Sequence, residues 1–262
     1  MDLGIAGKTA LVLGAGGGLG SAIARTLARE GAKVGLADIN LEAAQAVADQ
    51  INGAGPALAC ALKWDLEDID SIPGNLRTLE SRLGPVDILV NNTGGPPPTP
   101  VSGQSRDAWS KHFQSMVMSV ISITDQVLPG MRDRKFGRVI TSTSSGVVAP
   151  IPNLGLSNAL RMTLLGWSKT LAREVGKDGI TCNIVLPGRV ATGRIKFLDE
   201  QKAKREGRSV EEVAAESTAS IPLGRYGDPQ EYADTVAFLA SRNASYITGS
   251  VIRVDGGLLA NV

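Results

Sequence analysis

Five glycines fall within seven positions, Gly14-Ala15-Gly16-Gly17-Gly18-Leu19-Gly20. They follow the apolar run Thr9–Leu13 directly and open the amphipathic stretch Leu19–Glu30. Strand, glycine turn and helix in that order make an anion site. Glycine permits the tight turn and lets backbone approach phosphate oxygens, while a helix start offers unpaired N–H groups and a partial positive charge. A dinucleotide pyrophosphate is the ligand that suits this arrangement. A carboxylate at the end of the next strand then acquires a role. Asp38 stands 18 positions after Gly20, where it can accept hydrogen bonds from ribose 2′- and 3′-hydroxyls and repel a 2′-phosphate. The glycine loop offers no Arg or Lys to such a phosphate. NAD(H) is therefore expected over NADP(H). The plainer account of Asp38 is a cap on the helix that follows.

These residues need a sheet to hold them. Seven short runs rich in Val, Ile and Leu serve: Thr9–Leu13, Val34–Asp38, Ala57–Leu62, Val86–Asn91, Arg138–Thr143, Ile180–Leu186 and Val251–Val254. They lack clean alternation, as strands buried on both faces do. Amphipathic stretches separate them: Leu19–Glu30, Leu41–Gln50, Asp68–Leu83, Arg106–Lys135, Leu154–Gly176 and Pro229–Ala240. Gly31 stops the first helix, and Asp228 with Pro229 starts the last. The pattern predicts an α/β chain: a single-domain Rossmann fold over residues 1–262, with a seven-stranded, mostly parallel, doubly wound sheet and helices on both faces.

Composition excludes other classes. The 262 residues carry 27 Lys and Arg against 26 Asp and Glu, so no nucleic-acid partner is expected. No apolar run reaches the ~18 residues of a membrane span, so no membrane partner is expected. The first residues lack the basic start of a signal peptide, and two cysteines, Cys60 and Cys182, suit a reducing compartment; a cytoplasmic protein is expected. The single histidine, His112, has no ligand cluster around it, so no metal is expected.

Further motifs accumulate. The glycine spacing is Gly-x-x-x-Gly-x-Gly; Asp65-Leu66 follows the third strand; Asn91-Asn92-Thr93-Gly94 ends the fourth. Pro187-Gly188 is followed by Thr192, and Ile247-Thr248-Gly249 precedes Val254-Asp255-Gly256-Gly257. Together they make the chain resemble the short-chain dehydrogenase/reductase family over essentially its whole length, nearest to 3-oxoacyl-carrier-protein-reductase-like members. The resemblance implies hydride transfer between a nicotinamide cofactor and a small alcohol or carbonyl compound. It also implies a homotetramer or homodimer built through the fourth and fifth helices and the last strand. Carried over by position, it implies cofactor contacts from Gly14, Gly16, Gly17, Gly18, Leu19 and Gly20, from Asp38 and Ile39, and from Asp65 and Leu66 beside the adenine. Asn92, Thr93 and Gly94 continue the set, with Pro187, Gly188, Val190 and Thr192 toward the carboxamide.

The resemblance breaks where the chemistry is done. The family's machinery is Asn, Ser, Tyr and Lys, with Tyr-x-x-x-Lys on one helix. Here the Ser is Ser144, but Ser157 stands in the Tyr position, Arg161 in the Lys position and Met116 in the Asn position. A serine hydroxyl is a far weaker acid than a phenol of pKa about 10. Arginine stays protonated and passes no proton on, though it can donate to ribose hydroxyls or clamp a carboxylate. Met116 is expected to remove the polar helix bulge that holds a relay water in the family. Ser157 and Arg161, four apart on a helix, share a face. Two readings result. In the first, Ser144, Ser157 and Arg161 form a non-standard catalytic site, with a serine, a water or a substrate group handling the proton and Arg161 also touching cofactor. In the second, the chain is a catalytically silent NAD-binding paralogue that acts as a binding or regulatory subunit.

Two segments bear on substrate. Gly94–Pro100 is proline-rich and stiff. Residues 193–220 occupy the place of the family's substrate lid and carry Arg194, Lys196, Lys202, Lys204, Arg205 and Arg208 before Glu211, Glu212 and Glu216. With Arg161 and Arg189 these charges hint at an anionic small-molecule substrate; the blander account is a solvated amphipathic helix.

Overall fold

Parallel strands buried on both faces need helices on both sides, and the chain alternates accordingly. The computed structural model describes residues 2–56 and 58–261. The strands are β1 (Thr9–Leu13), β2 (Lys33–Asp38), β3 (Ala59–Lys63), β4 (Ile88–Asn92), β5 (Gly137–Ser142), β6 (Ile180–Pro187) and β7 (Val251–Val254). Their order is β3-β2-β1-β4-β5-β6-β7, and each of the six pairings is parallel. The order reverses between β1 and β4, which opens a crevice at the carboxyl edge of the sheet. This is the single-domain doubly wound α/β fold expected from the sequence.

The helices are α1 (Gly18–Arg29), α2 (Leu41–Ala54), α3 (Ile72–Leu83), α4 (Arg106–Phe113), α5 (Ser119–Asp133), α6 (Gly155–Val175), α7 (Gly193–Glu206), α8 (Val210–Ala219) and α9 (Pro229–Ala240). One face of the sheet packs Val12, Val34 and Val90 with α1 and α9; the other packs Leu11, Leu89 and Val139 with α3, α5 and α6. No helix among the described residues is long and apolar enough to cross a membrane.

Several boundaries differ from expectation for local reasons. The second helix runs past Gln50 to Ala54, because Asn52 brackets Ala59 with two side-chain bonds and holds the turn beyond Gly53. The third strand starts at Ala59; Leu58 precedes it, and Ala57 lies outside the described residues. The long stretch Arg106–Lys135 divides into α4 and α5 around a π turn, Gln114–Met118. Met116 sits inside that turn, so the helix bulge expected to be lost is kept. Ser119 Oγ donates to the Ser115 carbonyl, taking up an acceptor that the irregular turn frees.

Candidate active site

A cavity of about 910 Å³ occupies the crevice, from the glycine turn and Asp65 at one end to Ser144, Ser157 and Leu198 at the other. At the first end, Gly14 and Gly18 have φ of +59° and +53°, which favours glycine. Asn92 Nδ2 donates to the carbonyls of Leu13 and Gly14 and fastens β4 to the turn. The start of α1, at Gly17, has no side-chain cap, and a Cβ on Gly17 would meet nothing within 4 Å. Uncapped N–H groups facing open space fit a phosphate. Trp64 lies beneath the cavity with its indole N–H buried and unpaired.

Of the expected cofactor residues, Gly16 and Gly20 do not line the cavity; they shape the turn behind it. Gly14, Gly17, Gly18, Leu19, Asp38 and Ile39 line it, as do Asp65 and Leu66, Asn92, Thr93 and Gly94, and Pro187, Gly188, Val190 and Thr192. Asp38 is engaged on both oxygens: Oδ2 accepts the Gly16 N–H (2.8 Å) and Oδ1 the Asn40 N–H (2.9 Å). It braces the turn.

Ser144, Ser157 and Arg161 also line the cavity. Ser144 Oγ accepts the Gly146 N–H, leaving its own O–H to donate. Arg161 reaches from α6 across the ends of β4 and β5. Its Nε donates to Ser157 Oγ (3.3 Å), Nη1 to Thr93 Oγ1 (3.5 Å) and the Ser142 carbonyl (3.3 Å), and Nη2 to the carbonyls of Thr93 (3.1 Å) and Gly94 (2.9 Å). All five N–H donors are committed to protein acceptors. The expected contacts of Arg161 with ribose or a substrate carboxylate would therefore require it to exchange one of these partners. Burial, and after it the nearby charge of Arg194, push its pKa down to about 10, so it stays charged at neutral pH. Ser157 Oγ, accepting from a guanidinium, keeps its hydroxyl proton free to donate.

Sequence reasoning missed other participants. Tyr232, 90 positions from Ser142, donates to Ser142 Oγ (2.8 Å) from directly beneath. It is fully buried, which drives its pKa upward, and it does not line the cavity. Tyr232→Phe is accordingly expected to cost about 1–2 kcal/mol of stability, the worth of a buried hydrogen bond, and to leave turnover unchanged; urea melts and initial rates check this. Arg189 and Tyr226 both hold Asp199, each at 2.7 Å, tying α7 to the loop before α9. Leu258 and Leu259 close the cavity from the C-terminal segment. His112 and Ser115, on the turn of helix leading to Met116, also line it.

A family profile described as Enoyl-(Acyl carrier protein) reductase matches residues 14–259. The 3-oxoacyl-[acyl-carrier-protein] reductase of Escherichia coli (strain K12) is 38% identical over 255 residues, 96% of this chain and 97% of that protein. The chain belongs to the short-chain dehydrogenase/reductase family. Among solved short-chain dehydrogenase/reductase structures, L-sorbose reductase from Gluconobacter frateurii, complexed with NADPH and L-sorbose, superposes with a TM-score of 0.94 at 29% identity, covering 100% of both chains. An NADPH-dependent reductase involved in bacilysin biosynthesis gives 0.92 at 28% identity, covering 97% of this chain and 99% of that one.

These neighbours overturn the expected preference for NAD(H). Both are NADPH proteins. In this chain each Asp38 oxygen already accepts a backbone N–H, from Gly16 and from Asn40, so the carboxylate expected to wait for ribose is partly engaged in bracing the turn. Lys63, the register partner of Asp38, lines a separate hollow with Ile39, Asn40, Leu41 and Glu42.

Proposed function

We propose that the protein is an NADP(H)-dependent oxidoreductase that interconverts a small alcohol and its carbonyl compound through a Ser144, Ser157 and Arg161 site. The observation that carries this is one continuous cavity joining a glycine-turn phosphate cradle to two donor hydroxyls, with a buried guanidinium behind one of them. The glycine turn, Asp65–Leu66, Asn92–Gly94 and Pro187–Thr192 would hold the cofactor, which supplies or accepts the hydride when bound. Ser144 and Ser157 donate to the substrate oxygen and orient it. Arg161 donates to Ser157 Oγ and thereby sharpens that hydroxyl as a donor, and its fixed positive charge favours negative charge on the substrate oxygen. Among the described residues no phenol lines the cavity, and in this reading water takes the place of a phenol as the proton source. Helices α7 and α8 act as the lid. The exposed Phe113, Met118, Met162 and Val251 suit a homotetramer or homodimer through α4, α5, α6 and β7.

Titration with NADPH and NADH, followed by nicotinamide fluorescence, tests the cofactor half. NADPH is expected to bind at least tenfold tighter, and failure of both to bind removes the reading. Ser144→Ala is expected to lower kcat by about 10²-fold, the scale of one lost oxyanion donor, with NADPH affinity unchanged. Wild-type turnover in that variant removes Ser144 from the site.

A further inference from the structure

The substrate half of the cavity holds a guanidinium that no carboxylate balances among the described residues; its one aromatic neighbour is the Phe197 ring, 5.8 Å away. This group is Arg194, near the start of α7. Arg189 pairs with Asp199, Lys202 with Glu216, Arg205 with Glu206, and Arg208 with Glu206 and Glu216, while Lys196 and Lys204, which form no ion pair among the described residues, do not line the cavity. Arg194 forms no ion pair among the described residues. Its Nη2 donates to the Pro96 carbonyl (2.7 Å), a bond that anchors the group to the proline loop. Its Nε and Nη1 donors meet no protein acceptor among the described residues.

A second guanidinium stands close by. Arg194 Nη2 and Arg161 Nη2 lie 3.2 and 3.6 Å from the point where a Cβ on Gly95 would sit. Two like charges held this close, both partly desolvated and without a carboxylate, repel each other. Arg161 has spent every donor, so it contributes charge alone. Arg194 has donors to spare, so it contributes contact. The wall beside them is apolar, from Ile151, Pro152, Leu154 and Leu198.

We propose that Arg194 binds the carboxylate of a short-chain oxo acid or hydroxy acid, placing its carbonyl or hydroxyl carbon beside Ser144 and Ser157. A planar carboxylate matches the free guanidinium donors, and its negative charge relieves the repulsion between the two arginines. This substrate class rests on the oxidoreductase reading above: in reduction, hydride from NADPH adds to the carbonyl carbon while a proton from water adds to its oxygen.

The test uses pyruvate, acetoacetate and levulinate, which vary the spacing between carbonyl and carboxylate, each against its ethyl ester. Binding to NADP⁺-loaded protein is read by calorimetry and turnover by NADPH oxidation. At least one acid is expected to exceed its ester tenfold in kcat/KM. Arg194→Ala is expected to erase that ratio by raising KM more than tenfold with a smaller change in kcat. Arg194→Lys is expected to restore part of it, and NADPH affinity to stay constant. An acid that binds in an Arg194-dependent way without turnover would keep this subsite and remove the hydride-transfer reading. Esters equal to or better than acids, or no acid bound by the loaded protein, would overturn the proposal. So would an Arg194→Ala variant that weakens NADPH while keeping the acid preference, because Arg194 would then serve the cofactor phosphates.

Discussion

A Gly20→Ala substitution is expected to lower the thermal midpoint by about 5–10 °C and to abolish dinucleotide binding. A Cβ at this position falls onto the Gly14 carbonyl group, 2.7 Å from its carbon and 3.0 Å from the Ala15 Cα. Both obstacles are backbone, and both are pinned: Asn92 donates to the Gly14 carbonyl, and the Ala15 N–H donates to the Ala37 carbonyl. Neither can rotate away as a side chain can. Overpacking of this kind costs about 1–3 kcal/mol, and at this chain length each kcal/mol moves the midpoint by about 2–4 °C. Gly17 is the control. Its backbone is extended, at φ −170° and ψ −178°, which any residue adopts, and a Cβ there meets nothing. Gly17→Ala is expected to leave the midpoint of the ligand-free protein unchanged and to weaken NADPH at least tenfold, because the methyl occupies the space a phosphate needs. Thermal melts with and without NADPH separate the two. Equal melts for both variants, or full NADPH affinity in Gly17→Ala, would deny the turn its role as a phosphate cradle.

The same turn shows which features a sequence states openly. A glycine's freedom, a buried strand's unbroken apolar run and a helix stop are local properties, so β1, the turn, α1 and the alternation that follows were all legible. The site was legible where it borrows those local features, and opaque where it depends on backbone. Arg161 is held by three carbonyls and two hydroxyls. Carbonyls carry no residue type, so nothing in the letters said that its donors were spent. Asp38 misled for a related reason, since its partners are the N–H groups of Gly16 and Asn40. The π turn was hidden because one extra residue barely disturbs a helical apolar period. Tyr232 and Leu258 come near the site only through the crossing of distant elements, and their spacing along the chain gives no hint of it.

Ser157→Ala is expected to reduce kcat by about 10²-fold with NADPH affinity preserved, and the wild-type pH profile is expected to differ in kind from that of a phenol-based site. Arg161, which donates to Ser157 Oγ, has its pKa pushed down to about 10. Turnover is therefore expected to hold level between pH 7.5 and 9 and to fall as pH rises through about 10, where the guanidinium loses the proton that sharpens the Ser157 hydroxyl. Unfolding does not account for such a fall on this residue's part. Between pH 10 and the higher, ordinary arginine value, the unfolded chain binds more protons at this position than the folded one. The Arg161 contribution to stability consequently rises with pH across that window, as activity drops. Arg161→Lys keeps a cation but has three donors for five acceptors, so it is expected to turn over more slowly and to move the alkaline limb. Rates measured from pH 7 to 11, alongside melts over the same range, decide the matter. A limb that survives unchanged in Arg161→Lys would show that another group titrates. A Ser157→Ala enzyme within about threefold of wild type would leave the substrate oxygen to Ser144 and water alone, with α6 contributing only the charge behind them.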